Sequence, residues 1–129
     1  MSLKDKMALE KFKTETFAPH KTEALTALGL QIDYELDEAS FVGLDRTFMM
    51  LAGVQLSAIT KFFTDIAATP IAKEAFGEAV KKVMLKYGKD VRNAWDGIKI
   101  EAGTMTITLD WEECYLPDSQ IMNQVTKML

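Results

Sequence analysis

The sequence predicts an α+β fold, with about five helices packed on one face of a small, mainly antiparallel sheet. Three observations lead to this prediction. Residues 30–36 alternate strictly between apolar and polar, 98–110 contain two such stretches around a turn, and most other segments carry apolar residues at helical spacing. The chain has 129 residues, so we expect a single globular domain over 1–129.

The composition is typical of a globular protein, with 48% hydrophobic and 26% charged residues. A single cysteine, Cys114, excludes an internal disulfide framework and suits a reducing compartment. The first residues, MSLKDKMALEKFK, lack the apolar region of a secretory signal. The most apolar run, 48–59, is shorter than the roughly 20 residues that a membrane span needs. We therefore expect a soluble, cytoplasmic protein that does not enter a membrane.

The first third of the chain is predicted to contain two helices and a strand. A helix over 3–17 ends at Ala18-Pro19, and a second runs from Pro19 to Leu28, with Gly29 in the left-handed conformation after it. In the strand 30–36, one face is apolar and the other polar. The apolar face contains Leu30, Ile32, Tyr34 and Leu36.

The middle of the chain is predicted to form two long helices. Asp45 caps the first, which runs to about Ala68, although a strand at 47–52 is an open alternative. Thr69-Pro70 begins the second, which extends to Tyr87 and ends at Gly88. One face of that helix is apolar over four turns, through Ala72, Phe76, Ala79, Val80, Val83, Met84 and Tyr87.

The last third is predicted to form a hairpin and a final helix. If Ala102-Gly103 is the turn, apolar residues face apolar ones at every position of the hairpin, with Ile98 opposite Ile107 and Ile100 opposite Met105. The final helix carries an apolar stripe that must pack on another element, made of Ile121, Met122, Val125, Met128 and Leu129. We expect this helix and the one at 70–87 to cover the sheet.

Two short acidic motifs, IDYE at 32–35 and LDWE at 109–112, are the only candidates for a metal site. Their carboxylates are Asp33, Glu35, Asp110 and Glu112. Carboxylate oxygens bind Mg²⁺ and Ca²⁺, and a pair of them can act as acid and base in glycoside hydrolysis. The simplest interpretation is that these acids form the solvent face of two strands. Whether 30–36 pairs with 104–110 stays open.

Other chemistries find little support in the sequence. His20 is the only histidine, and with Cys114 it cannot complete a zinc site. No phosphate-binding or nucleophile motif occurs, so we predict no catalytic residue and no cofactor. The lysine-rich stretch 81–92 stands in a chain of net charge −4 with two arginines, and we expect no nucleic-acid binding.

For function, the sequence favours a non-enzymatic interaction or regulatory domain that self-associates through apolar helix faces. Leu85 lies off the main apolar stripe of its predicted helix, and Met49 and Leu51 flank theirs, which favours a homodimer or a small apolar pocket. Another protein partner is also an open alternative. One alternative is a protein that binds a small apolar ligand in a pocket lined by methionine and phenylalanine. A further alternative is the carboxylate-based metal site or hydrolase.

Overall fold

The computed structural model describes residues 2–41 and 46–129, and it describes side chains for 2–41 and 51–129. The fold is α+β, as predicted. Residues 47–52 are helical, whereas Asp45, the predicted cap, lies outside the described residues. In chain order the elements are α1 (Leu3–Lys11), α2 (Ala18–Leu28), β1 (Asp33–Leu36), α3 (Arg46–Ala68), α4 (Pro70–Ala79), β2 (Lys82–Tyr87), α5 (Ala94–Gly97), β3 (Ile98–Glu101), β4 (Thr104–Leu109) and α6 (Asp118–Met128).

The backbone is helical without interruption from α1 into α2, so the predicted break at Ala18-Pro19 is wrong. Between α1 and α2 the backbone is π-helical over Phe12–Phe17, and the Ala18 N–H donates to the Lys13 carbonyl. Proline removes a helical donor and its ring crowds the preceding turn, and a wider turn accommodates both effects. The end of α2 is as predicted, because Gly29 is left-handed with φ 70° and donates to the Leu25 carbonyl at 3.0 Å.

The sheet is mixed and mostly parallel, so the expectation of a mainly antiparallel sheet is wrong. Its strand order is β1-β2-β4-β3, in which β1, β2 and β4 are parallel and only β3 and β4 are antiparallel. The chain passes from β1 to β2 through α3 and α4, and helical crossovers join parallel strands. β2 therefore lies between β1 and β4, and residues 30–36 do not pair with 104–110.

Strand β2 replaces the second half of the helix predicted over 70–87. Helix α4 ends at Ala79, and Val80 is already extended, with φ −123° and ψ 120°. The segment Lys82–Tyr87 also alternates with a period of two, with Val83 and Leu85 buried and Lys86 exposed. As a central strand it forms ladders with neighbours on both sides, which favours the strand over the helix.

The two faces of the sheet differ in character. The helix-side face is apolar, and side chains from all four strands are buried there, including Tyr34, Val83, Ile98 and Ile107. The opposite face is charged and rich in threonine, and we call it the open face. The predicted hairpin is confirmed in its register, because Ile98 pairs with Ile107 and Glu101 with Thr104. Its turn residues, Ala102 (φ 51°) and Gly103 (φ 81°), are both left-handed, as in a type I′ turn.

Helix α3 is the centre of the helical layer and packs against α2, α4 and α6. Its aromatic side chains join the helices to the sheet, since the ring of Phe63 lies 5.5 Å from Tyr34 on β1 and that of Phe62 lies 6.0 Å from Phe76 on α4. The C-terminal apolar stripe docks within the same chain, because α6 packs on α3 with Ile121 and Val125 buried.

Candidate functional site

The first acidic motif lies on an edge strand. Asp33 and Glu35 project from β1 on the open face, and both are exposed. The carboxylate of Glu35 accepts a hydrogen bond from Lys21 Nζ at 2.9 Å. This part of the prediction, with acids on the solvent face and Tyr34 in the core, agrees with the structure.

The second acidic motif does not form a strand, because β4 ends at Leu109 and Asp110 begins a turn. The predicted alternation fails here, since Leu109, Asp110 and Trp111 are all buried. Oδ2 of Asp110 accepts from the backbone N–H of Asp90 at 3.0 Å, and Oδ1 accepts from the N–H of Glu112 at 3.2 Å. Asp110 therefore holds two loops together.

The structure does not bring the two motifs together. Asp33 lies opposite Lys82, which lies opposite Thr104, so Asp33 marks the level of the first residue of β4. Asp110 follows six residues later, which is about 20 Å along the strand at roughly 3.3 Å per residue. One ion cannot contact carboxylates at both levels. Metal binding by these carboxylates stays a prediction.

A different acidic cluster, missed in the sequence, surrounds Asp110. Carboxylate oxygens of Asp90, Asp110 and Glu113 lie within 4.8 Å of one another. Arg92 forms ion pairs with Asp90, at 3.4 Å, and with Glu113. This arginine supplies the positive charge that the cluster needs, so the cluster is explained as a structural ion-pair network.

Cys114, the single cysteine of the chain, lies beside this ion-pair network. The Sγ of Cys114 donates to the backbone carbonyl of Arg92 at 3.2 Å, and burial raises the pKa of its thiol. A raised pKa lowers the thiolate fraction at neutral pH, and the thiolate is the reactive species. The geometry therefore gives Cys114 the character of a structural thiol.

The most apolar groove among the described residues lies between α4 and α6, and we call it the α4–α6 groove. It encloses about 410 Å³, and no charged side chain lines it. Ile71, in the first turn of α4, stands at its edge with 81% of its surface exposed, and Leu129 is 42% exposed. The lining residues are Ile66, Thr69, Ile71, Ala72, Ala75, Thr126 and Leu129.

The α4 wall of this groove follows from local sequence chemistry. Thr69 is extended (φ −115°, ψ 111°) and Pro70 follows it at the start of α4, where a proline needs no donor. Phe76 on the same helix is fully buried. This orientation directs Ala72 and Ala75, whose side chains are half-buried, to the groove and leaves Ile71 in solvent.

Two of the apolar residues on which the sequence-based expectation of self-association rests do not form this surface. Leu85 is fully buried on the helix-side face of β2, and Leu51 is half-buried on α3. The side chain of Met49 lies outside the described residues. Ile71 is the most exposed of the large apolar side chains that the structure describes. It is not recognised from the sequence because it directly follows a helix-start signal and lies beside an otherwise regular apolar stripe.

Comparisons with known proteins give no assignment: no family model, no curated protein and no solved structure matches the chain significantly. Over the described residues, no helix has the length and apolar character needed to cross a membrane.

Proposed function

We propose that this chain is a non-enzymatic interaction domain that self-associates, and that the α4–α6 groove is its self-association surface. The observation that carries the proposal is an apolar groove without charged side chains, with a protruding isoleucine at its edge. Full burial of an isoleucine side chain contributes about 1.5–3 kcal/mol. Ile71 is 81% exposed, so its burial in an interface would contribute most of this free energy to association.

The chemistry of the groove distinguishes it from three other grooves on the surface. Each of those contains charged side chains: Asp33 and Lys81 in one, Lys86 and Glu101 in another, and Lys127 in the third. Interface cores are depleted of charge and enriched in apolar side chains. The α4–α6 groove has this composition.

A second copy of the chain is the partner that fits this surface. The projecting side chain of Ile71 and the cavity that can receive it belong to the same patch. In a two-fold symmetric dimer each copy presents the same patch to the other, so a projection beside a cavity is self-complementary. Ile71 of one copy then fills the groove of its partner, where Ala72 and Ala75 leave room for it.

The size of the surface indicates a weak and reversible dimer. A stable interface buries roughly 800 Å² per partner, about a ninth of the 7062 Å² that this chain exposes. The groove and its rim are smaller than that, since only seven residues line it. We therefore expect a dissociation constant in the micromolar range, where association depends on protein concentration.

The test is the mass of the protein as a function of concentration, measured by sedimentation velocity. We expect the wild type to shift from monomer to dimer as its concentration rises. The Ile71→Asp variant places a charge in the apolar contact and should raise the dissociation constant at least about 10-fold. Val54→Asp is the matched control, because Val54 is also exposed, at 51%, but lies outside the groove. Loss of association in both variants, or in neither, contradicts the proposal.

A further inference from the structure

A second surface, independent of the α4–α6 groove, centres on Trp95. Trp95 is 68% exposed, whereas Trp111, the other tryptophan, is fully buried. Tryptophan offers a large apolar face and a single N–H donor, and exposed tryptophans are concentrated in binding sites. The α4–α6 groove does not include Trp95.

The backbone that carries Trp95 is held firmly on both sides. Oδ1 of Asn93 accepts from the Asp96 N–H at 2.7 Å, and its amide nitrogen donates to the Asp96 carboxylate at 2.8 Å. Gly97 packs so closely on β4 that a β-carbon there would lie 2.2 Å from the carbonyl oxygen of Thr108. Ala94 is buried as well. The backbone at Trp95 is therefore already ordered before a ligand binds, which reduces the entropy lost on binding.

The side chains beside Trp95 are mostly neutral amides. Together with Ala94 they form a groove of about 180 Å³, which we call the Trp95 groove, lined on its α6 side by Gln120, Asn123, Gln124 and Lys127. In the described part of the chain, the three side-chain amides make no hydrogen bond to protein groups. Each amide offers one acceptor and two donors. The groove thus combines an aromatic face with free polar groups of both kinds.

We propose that the Trp95 groove binds a single neutral sugar ring. A pyranose has an apolar face of C–H groups for the indole and hydroxyls at its edge that both donate and accept. A purely apolar ring would leave the amides unpaired, which opposes binding. A cationic ligand is disfavoured by Lys127, and an anion finds only this one positive group among the lining side chains.

The size of the groove limits the ligand to one ring. Its volume of about 180 Å³ equals that of roughly six water molecules at about 30 Å³ each. This is below the roughly 300–1,000 Å³ of sites for drug-sized ligands. We therefore expect a dissociation constant on the order of 1 mM for a monosaccharide.

The two indole N–H groups allow a direct test by ¹⁵N–¹H NMR. The protein is titrated separately with methyl β-D-glucopyranoside, methyl β-D-galactopyranoside and methyl α-D-mannopyranoside. We expect the Trp95 indole signal to shift saturably with at least one of them. The Trp111 indole, which donates to the Lys86 carbonyl at 3.1 Å in the core, should stay unchanged. No saturable shift with any of the three overturns the proposal.

Variants and a control ligand distinguish sugar recognition from nonspecific binding of apolar rings. Gln124→Ala should weaken the binding several-fold, and Trp95→Ala should abolish it as followed through backbone amides of α6. Tyr115→Ala, which removes another exposed aromatic outside the groove, should bind as the wild type does. An equal response to cyclohexanol overturns the proposal, because that ring lacks the hydroxyl pattern. These titrations do not measure self-association, so failure of the sugar-binding proposal does not contradict the self-association proposal, and the reverse also holds.

Discussion

The side-chain amide of Gln55 makes two hydrogen bonds to the backbone of Leu116, a residue 61 positions later in the chain. Its Nε2 donates to the Leu116 carbonyl at 3.0 Å, and its Oε1 accepts from the Leu116 N–H at 2.7 Å. Gln55 is 1% exposed on the central helix α3. This pair fixes the loop that leads into α6, and α6 supplies one wall of both proposed binding surfaces.

We expect Gln55→Leu to destabilise the protein by about 2–5 kcal/mol, because two buried backbone groups of Leu116 lose their partners. Urea denaturation followed by circular dichroism measures the change. Gln31→Leu is the control, since Gln31 is exposed before β1, and it should change stability by less than about 0.5 kcal/mol. Equal stabilities of the two variants would contradict the role given to Gln55.

Tyr34→Phe should stabilise the protein by about 1–2 kcal/mol. The Tyr34 hydroxyl is fully buried and has no hydrogen-bond partner among the residues that the structure describes, and its burial raises the pKa of the phenol. Phenylalanine keeps the ring contacts with Phe17 and Phe63 and removes the unpaired group. Urea denaturation tests this expectation, and a loss of stability would show that the hydroxyl has a partner in solution.

Alkaline pH should destabilise the protein partly through Tyr87. Burial, with the carboxylate of Asp110 beside it, raises the pKa of Tyr87 to about 12, above the value of about 10 for an unfolded tyrosine. The stabilisation is therefore complete below about pH 10 and is lost as the pH rises through about 12. Melting temperatures of Tyr34→Phe with and without Tyr87→Phe, measured from pH 9 to about 12, test this point. We expect the double variant to lose less stability over that range, and parallel curves would contradict the assignment.

Two glycine substitutions should have opposite effects. Gly97→Ala places a methyl group 2.2 Å from the Thr108 carbonyl oxygen, so the backbones of α5 and β4 must move apart. We expect the free energy of unfolding to fall by several kcal/mol. Gly53→Ala meets no atom within 4 Å and lies inside α3, where alanine is about 0.5–1 kcal/mol better than glycine. Thermal melts compare the two, and a neutral Gly97→Ala would show that α5 is not seated on β4.

Sequence reasoning predicted local features well and the arrangement of the strands poorly. The hairpin at 98–110 was predictable because the turn residues and the alternation specify the same register. The segment 80–87 was not, because Val80, Val83 and Tyr87 fit a helical stripe as well as a strand. Only its position between β1 and β4 decides in favour of the strand, and no local pattern encodes that position.

The acidic motifs illustrate the same limit at the level of the site. IDYE and LDWE have the same pattern, yet Asp33 is exposed on a strand and Asp110 is buried in a turn. Long-range partners decide between these outcomes, such as the Asp90 amide that Asp110 binds. Trp95 lies in the short helix α5, and its exposure depends on how α6 packs beside it.

Cross-linking through an engineered cysteine tests most directly that two copies meet at the α4–α6 groove. Thr126→Cys on the groove rim is made in a Cys114→Ser background, so that a short bismaleimide has a single target. We predict cross-linked dimer with this variant, little with Lys99→Cys on the open face, and a strong reduction when Ile71→Asp is added to Thr126→Cys. Equal cross-linking at both positions, or no effect of Ile71→Asp, would contradict self-association through this groove.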